Sequence, residues 1–278
     1  MASHCNDDAN ALGKSRRWHP APAIRFSFLL HAGGVAAWAI QPALWPWIIG
    51  VLIANHCVLS CAVLFPKGRL LGPNLTRLPQ AAIRRGEVVL TFDDGPDPEV
   101  TPRVLDLLDQ YQVRASFFCI GAKAAAYPHL LKEILRRGHS VENHSYHHSP
   151  YFPFYGIARL RREVQNTQAA IAGITGRAPV FFRAPAGFRS PFLDFVLARC
   201  GLHYVSWTRR GFDGVRSDPV LVLRRLTRNL AAGDVLLLHD SVSARTYEPA
   251  VLSVLPTLLQ RLATQGLKAV SLPAAFAE

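Results

Sequence analysis

Val88-Val89-Leu90-Thr91-Phe92-Asp93-Asp94-Gly95-Pro96 is the stretch whose reading decides the fold. An uncharged run of β-branched and aromatic residues, closed by turn residues, reads as a buried strand. Gly95-Pro96 then supplies a tight turn that leaves both carboxylates at the strand tip. Outward from this run the same texture recurs. Apolar strands are expected at residues 88–92, 115–120, 140–143, 180–183, 204–207 and 235–239, separated by helical segments at 101–111, 128–137, 157–174, 191–200, 219–230 and 249–265. Strands alternating with helices imply an α/β fold with a mainly parallel sheet, here a closed or nearly closed β/α barrel of about seven units. A doubly wound open sheet is the alternative.

N-terminal to this pattern the chain changes character. Residues 1–23 form a polar, basic lead with Lys14, Arg16 and Arg17, which is expected to be disordered. Residues 24–65 carry a single formal charge, Arg25, and are too long for a signal peptide but long enough for two membrane crossings. In their middle, Gln41-Pro42-Ala43-Leu44-Trp45-Pro46-Trp47 breaks the helix with prolines and places tryptophans where a lipid-water interface favours them. This reads as a transmembrane helical hairpin, with a single span or a surface-lying amphipathic pair as alternatives. Lys and Arg flank the hairpin on both outer sides and are absent from its turn, so a catalytic domain on the cytoplasmic face of a bacterial-type inner membrane is expected, with the periplasmic face as the alternative. Residues 66–86 read as a Gly-, Pro- and Arg-containing linker, and 87–278 as the catalytic domain.

A formal charge of +12, from 31 Lys+Arg against 19 Asp+Glu, suits an anionic partner. Nucleic acid is not expected, because no finger spacing, RNP-like strand or base-reading basic helix is present. A membrane surface or a phosphate-bearing substrate fits better. The five cysteines, Cys5, Cys57, Cys61, Cys119 and Cys200, make no C-x-x-C pair and no disulfide framework.

The conspicuous polar residues all fall at C-terminal strand ends: Asp93-Asp94, His144 with His148, Arg183, Asp213 shortly after Trp207, and His239-Asp240. In a barrel those ends converge on one face. Adjacent carboxylates repel unless one binds a cation or the two do different work, although an Asp turn with a helix cap is the bland reading of the pair. His144 and His148, four apart, are expected on one face of a helical turn, a spacing that suits one metal ion, while His147 points elsewhere. Histidines also cap and pack, so the pair alone leaves both readings open. Two histidines and a carboxylate form a set with open positions that suits Zn²⁺, with Co²⁺, Mn²⁺ or Ni²⁺ as further candidates.

Thr91-Phe92-Asp93-Asp94-Gly95-Pro96, His144-Ser145-x-x-His148, Arg183-Ala184-Pro185-Ala186-Gly187 and Leu237-Leu238-His239 resemble, in order, four motifs of the NodB-homology polysaccharide deacetylases, carbohydrate esterase family four. The resemblance implies a distorted β/α barrel and a metal-dependent hydrolase that removes N-acetyl, or another small acyl group, from an amino sugar. It assigns Asp94, His144 and His148 to the metal, Asp93 to the general base, Arg183 to the arginine that pairs with it, and His239 to the general acid. It places Leu237 at the acetyl pocket and the Ala186 N–H at the oxyanion. The chain departs from the family at Arg210-Gly211-Phe212-Asp213-Gly214, where Asp213 keeps a carboxylate able to hold His239 or Arg183, but an arginine and a glycine replace an aspartate and a tryptophan. Ala186 also stands where a bulky aromatic is common. Trp207 and Arg210 are thus expected beside the substrate, and with Arg209 they motivate a lipid-phosphate-linked glycan and membrane lipid as partners. A catalytically inactive, membrane-tethered carbohydrate-binding protein is the competing reading.

Overall fold

The computed structural model describes residues 16–215, 218–242 and 249–277. Two apolar helices come first, α1 (Pro22–Ile40) and α2 (Trp45–Val63), joined by a 3₁₀ turn at Pro42–Leu44. Both begin with proline in the first turn, where its missing N–H costs nothing. They run antiparallel: Asn55 donates to the Ser27 hydroxyl at 2.9 Å, and Ile48 packs on Gly34. Each is long and apolar enough to cross a membrane, and almost none of their residues is buried inside the chain. Within the basic lead, Arg16 and Trp18 both reach the Asp194 carboxylate, and Trp18 packs edge-on against Phe195 at 5.0 Å. Residues 16–18 are therefore docked rather than disordered as expected. Residues 1–15 of the lead lie outside the described residues.

The remaining helices are α3 (Gln80–Arg84), α4 (Val100–Gln110), α5 (Gly121–Ala126), α6 (Pro128–Arg136), α7 (Ile157–Thr175), α8 (Leu193–Arg199), α9 (Pro219–Thr227), α10 (Ala250–Thr264) and α11 (Leu272–Phe276). The strands are β1 (Glu87–Asp93), β2 (Ser116–Cys119), β3 (Ser140–Asn143), β4 (Phe181–Phe182), β5 (His203–Tyr204), β6 (Arg209–Arg210), β7 (Val235–His239) and β8 (Lys268–Val270). They form one curled parallel sheet in the order β5-β4-β3-β2-β1-β7-β6, with β8 paired to the start of β1. This is the distorted half-barrel of a β/α barrel, as the sequence pattern and the resemblance both imply. Two details differ. The strand expected over 204–207 ends at Tyr204, and Arg209-Arg210, expected to lie just beyond it, pair with Leu236 and Leu237 as β6.

Residues 66–86, expected as a linker, are built into the domain. Leu75 N donates to the Tyr204 carbonyl, Ser206 N to the Leu75 carbonyl, and Leu78 N to the Gly233 carbonyl. The segment thus spans from the β5 edge to the base of β7, and Leu78 and Ala82 join the inner core.

Side-chain alternation along the strands positions the site. On β1, Val88, Leu90 and Phe92 face outward into the layer packed under α4 and α10. Val89, Thr91 and Asp93 share the other face, and Val89 meets Phe118, Phe181, Val235, Leu78 and Leu272 in the lower interior. Strand β7 repeats the pattern, with Leu236 and Leu238 outward. In the β1–β7 pairing, Thr91 stands opposite Leu237 and Asp93 opposite His239. The same strands therefore pack the lower interior with apolar groups and end above it in chemistry.

Candidate active site

Arg183 lies at the centre. Its guanidinium is fully buried and donates to Asp93 Oδ1 at 2.6 Å, to Thr91 Oγ1 at 2.8 Å, to the Ser206 carbonyl at 2.8 Å and to the Val205 carbonyl at 3.2 Å. Its carbon lies 4.1 Å from the Phe118 ring centroid. A buried charge is tolerated only when paired and hydrogen-bonded in this way. Asp93 is thereby fixed beneath the cavity, with its second oxygen 3.8 Å from His144 Nε2.

Asp94 has φ 71°, a left-handed conformation that aspartate tolerates better than most residues and that turns its carboxylate away from that of Asp93. The Asp94 carbonyl accepts from Lys123 Nζ at 2.7 Å. Gly95 follows because no side chain fits there: a Cβ would come within 2.6 Å of the Asp240 carboxyl. Asp240 itself accepts from the Thr101 hydroxyl at 2.6 Å, and burial pushes its carboxyl up to about 8.

His144 and His148 do not occupy a helical turn. The segment after β3 is a loop, with Ser145 at φ 62° and His148 at φ 50°, and these two left-handed residues bring the rings to 4.9 Å. Two side chains hold the loop: Asn143 accepts from Ser145 N at 3.0 Å, and Glu163 of α7 accepts from Tyr146 N and His147 N at 3.0 Å each. His147 points away, bonded to Glu163 at 2.8 Å and largely exposed.

His144 Nδ1 donates to the Arg183 carbonyl at 2.9 Å, a tautomer that leaves the Nε2 lone pair free towards the cavity. That atom lies 3.3 Å from Asp94 Oδ1, and His148 Nε2 lies 3.1 Å from the same oxygen. All three donor atoms fall within 4.8 Å of one another, yet Asp94 Oδ1 is buried without a hydrogen-bond partner. Converging lone pairs around an unsatisfied carboxylate oxygen fit a divalent cation, and two nitrogens with one oxygen leave a position open. Burial works to raise the Asp94 carboxyl, but His144, His148 and His239 together hold it below the usual carboxylate range. His148 is lowered to about 4, first by burial and then by His144, so its nitrogen is available as a ligand at neutral pH.

Asp213, the carboxylate kept in the divergent motif, holds His239 rather than Arg183. Its carboxylate accepts from His239 N at 2.7 Å and pairs with Nδ1 at 3.0 Å. Burial alone would lower the His239 imidazole, but Asp213, Asp94 and Asp93 outweigh it and push it up to about 9. Its proton is therefore present at neutral pH.

Asp93, Asp94, His144, His148, Ala186, Trp207, Arg210, Leu237 and His239 line one cavity of about 140 Å³, while Arg183 and Asp213 sit behind it, each bonded to a residue of the wall. Ala186 is left-handed at φ 54°, which a bulky residue would adopt at greater cost. The next residue, Gly187 at φ 81°, has no room for a Cβ, which would meet the Trp207 ring at 2.5 Å. Arg210 stacks over Trp207 and Phe212. Arg209 faces away, bonded to Asp234 at 2.9 Å, and takes no part in this cavity. Thr91, Lys123, Asn143, Glu163 and Phe212 are among the contributors that the sequence did not single out.

A proton-holding acid, a paired carboxylate and a three-donor set able to hold a cation around one small cavity are the parts that metal-assisted hydrolysis uses. The polysaccharide deacetylase family matches residues 81–205. A peptidoglycan-N-acetylglucosamine deacetylase of Bacillus cereus is 31% identical over 186 residues, covering 66% of this chain and 85% of that protein. A chitooligosaccharide deacetylase of Sinorhizobium fredii is 35% identical over 167 residues, covering 60% of this chain and 77% of that protein. The solved structure of the Bc1960 peptidoglycan N-acetylglucosamine deacetylase aligns with TM-score 0.65 at 30% identity, covering 73% of this chain and 92% of that one. The chain belongs to the polysaccharide deacetylase family.

Proposed function

We propose that this protein is a metal-dependent deacetylase of N-acetylated amino-sugar glycans, anchored in a membrane by α1 and α2. The observation that carries the reading is the convergence of Asp94, His144 and His148 beside the Arg183–Asp93 and Asp213–His239 pairs in one cavity. A divalent cation held by the three donors, of which Zn²⁺ suits the set best, supplies Lewis acidity to an acetamide carbonyl and to water. The chain's own residues do the rest. Asp93, paired with Arg183, takes the proton of the attacking water. The Ala186 N–H donates to the oxygen as negative charge develops there. His239 gives its proton to the nitrogen as the C–N bond breaks, so that an amine leaves rather than a far more basic anion. Leu237 and Trp207 enclose the acetyl methyl. The products are acetate and a free amino sugar, which is the chemistry named for the peptidoglycan and chitooligosaccharide deacetylases similar to this chain.

Support for the anchor comes from the two exposed apolar helices and from their basic outer flanks, which favour the cytoplasmic side for the domain. Membrane fractionation and labelling of a C-terminal cysteine test both points, and periplasmic labelling would reject the orientation. Acetate release from N-acetylglucosamine oligomers tests the activity. His144→Ala should lose both metal and turnover, whereas Asp93→Asn should keep the metal and lose turnover.

A further inference from the structure

Beside the catalytic cavity lies a second, much larger one of about 1150 Å³, between the end of α2 and the β5–β6 and β6–α9 connections. Resting on the deacetylase reading above, we propose that this groove binds the lipid and phosphate of an amino sugar linked through phosphate to a long-chain alcohol, and presents its acetamide to the catalytic cavity. One wall is apolar and belongs to the anchor: Val58, Ala62 and Phe65 line it, with Leu70 beyond. The other is cationic, with Arg210, Arg225 and Arg228, and among the described residues no carboxylate lines the groove. An apolar wall continuous with an apolar helix suits a lipid chain, and a carboxylate-free row of guanidinium groups suits phosphate oxygens.

The two cavities share a wall. Trp207, Arg210 and Phe212 line both. A space of 140 Å³ takes an acetamide and part of a sugar ring, so the remainder of any substrate has to leave it, and the groove is the large space on those shared walls. Arg210 stands at the junction with its guanidinium stacked on Trp207 and Phe212 and its Nε buried without a partner, a donor still unspent. Arg225 stacks on the same Phe212 at 5.2 Å. The groove wall is also held in place: Lys67 Nζ donates to the Thr208 carbonyl at 2.7 Å, and Asn74 donates to the carbonyls of Pro66 and Gly68. The reaction is unchanged: water adds to the acetyl carbon, the C–N bond breaks, acetate departs, and the nitrogen takes a proton while the phosphate linkage stays intact.

The full chain in nanodiscs of zwitterionic lipid separates the possibilities. Two substrates are compared, N-acetylglucosamine joined through its anomeric phosphate to a long-chain alcohol, and a soluble N-acetylated chitooligosaccharide. Two variants change residues that line the groove and not the catalytic cavity, Arg225→Ala with Arg228→Ala, and Ala62→Trp, which fills the groove. For the lipid-phosphate substrate, KM should rise at least about tenfold in both variants, while turnover of the chitooligosaccharide stays as in the wild type. Equal loss on both substrates, or no change on either, would overturn the groove assignment while leaving the deacetylase reading standing. If neither substrate is turned over, the deacetylase reading fails, and binding of the lipid-phosphate sugar to the same nanodiscs, measured by native mass spectrometry, decides the groove separately. Retention lost in both variants would support it, whereas equal retention of phosphatidylglycerol would reduce the groove to a site for bulk anionic lipid and overturn the proposal.

Discussion

The lower and upper halves of the barrel interior are made by the same strands and are held by opposite physics. Below, Val89, Phe118, Phe181 and Val235 from four strands meet Leu78 and Leu272, and the space is filled by apolar packing. Two residues further along β1 and β7, the same inward face carries Thr91, Asp93, Leu237 and His239, held by a buried ion pair and a carboxylate–imidazole pair. The alternation of the strand decides which residues face in, and the position along the strand decides whether they pack or react. The lower half should therefore answer to lost volume, and the upper half to changed charge.

The largest effect is expected at the top. Asp93→Asn should lower kcat/KM by about 10²–10⁴-fold, the usual worth of a positioned general base, with the metal content unchanged. Metal loss equal to that of His144→Ala would erase the division between base and ligand. Phe181→Ala, in the lower half, should cost about 3–5 kcal/mol in denaturant unfolding and leave kcat within roughly twofold while folded. A collapse of kcat without loss of stability would mean that the two halves are not separable.

Next in size is a shift in pH dependence. His239 keeps its proton up to about 9, so activity that needs its acid should fall as pH rises through that value. Asp213→Asn removes the foremost group that raises it, and the alkaline limb of kcat should then move towards neutral pH. An unmoved limb would take His239 out of the protonation step. The smallest effect concerns Glu142, a carboxyl buried at the edge of the lower half, where it accepts from Val180 N and Phe181 N. Burial pushes it from 4.5 up to about 7, so between those values the folded chain keeps a proton that the unfolded chain releases. Stability should fall as pH rises through that window, by at most about 1.4 kcal/mol per pH unit, and Glu142→Gln should flatten the slope. Unfolding curves of the two proteins across the window check it.

The parts of this design that were legible in the sequence are those written locally. The Val88–Phe92 run, the Asp pair with its Gly-Pro turn, and the recurrence of polar residues at strand ends each declare themselves within a few positions. What escaped depends on distant partners. A spacing of four suggested a helical turn for His144 and His148, because nothing nearby reveals that Ser145 and His148 turn left-handed while Glu163 secures their loop. Strand β6 is two residues long, too short for a period of two to show, and Arg209 and Arg210 face opposite ways because of it. Residues 66–86 resembled a linker because prolines, glycines and arginines carry no periodicity, although Leu78 and Ala82 lie in the core.

That last segment bears on where the chain can be cut. Trimming at the first strand, the obvious boundary for a soluble enzyme, would remove Leu71, Leu78 and Ala82, all buried, together with the backbone bonds from Leu75 and Leu78 to the sheet. The shortened protein would open its interior to water along one side. A usable version starts before Pro66, so that the stretch between α2 and β1 travels with the part of the molecule that it completes.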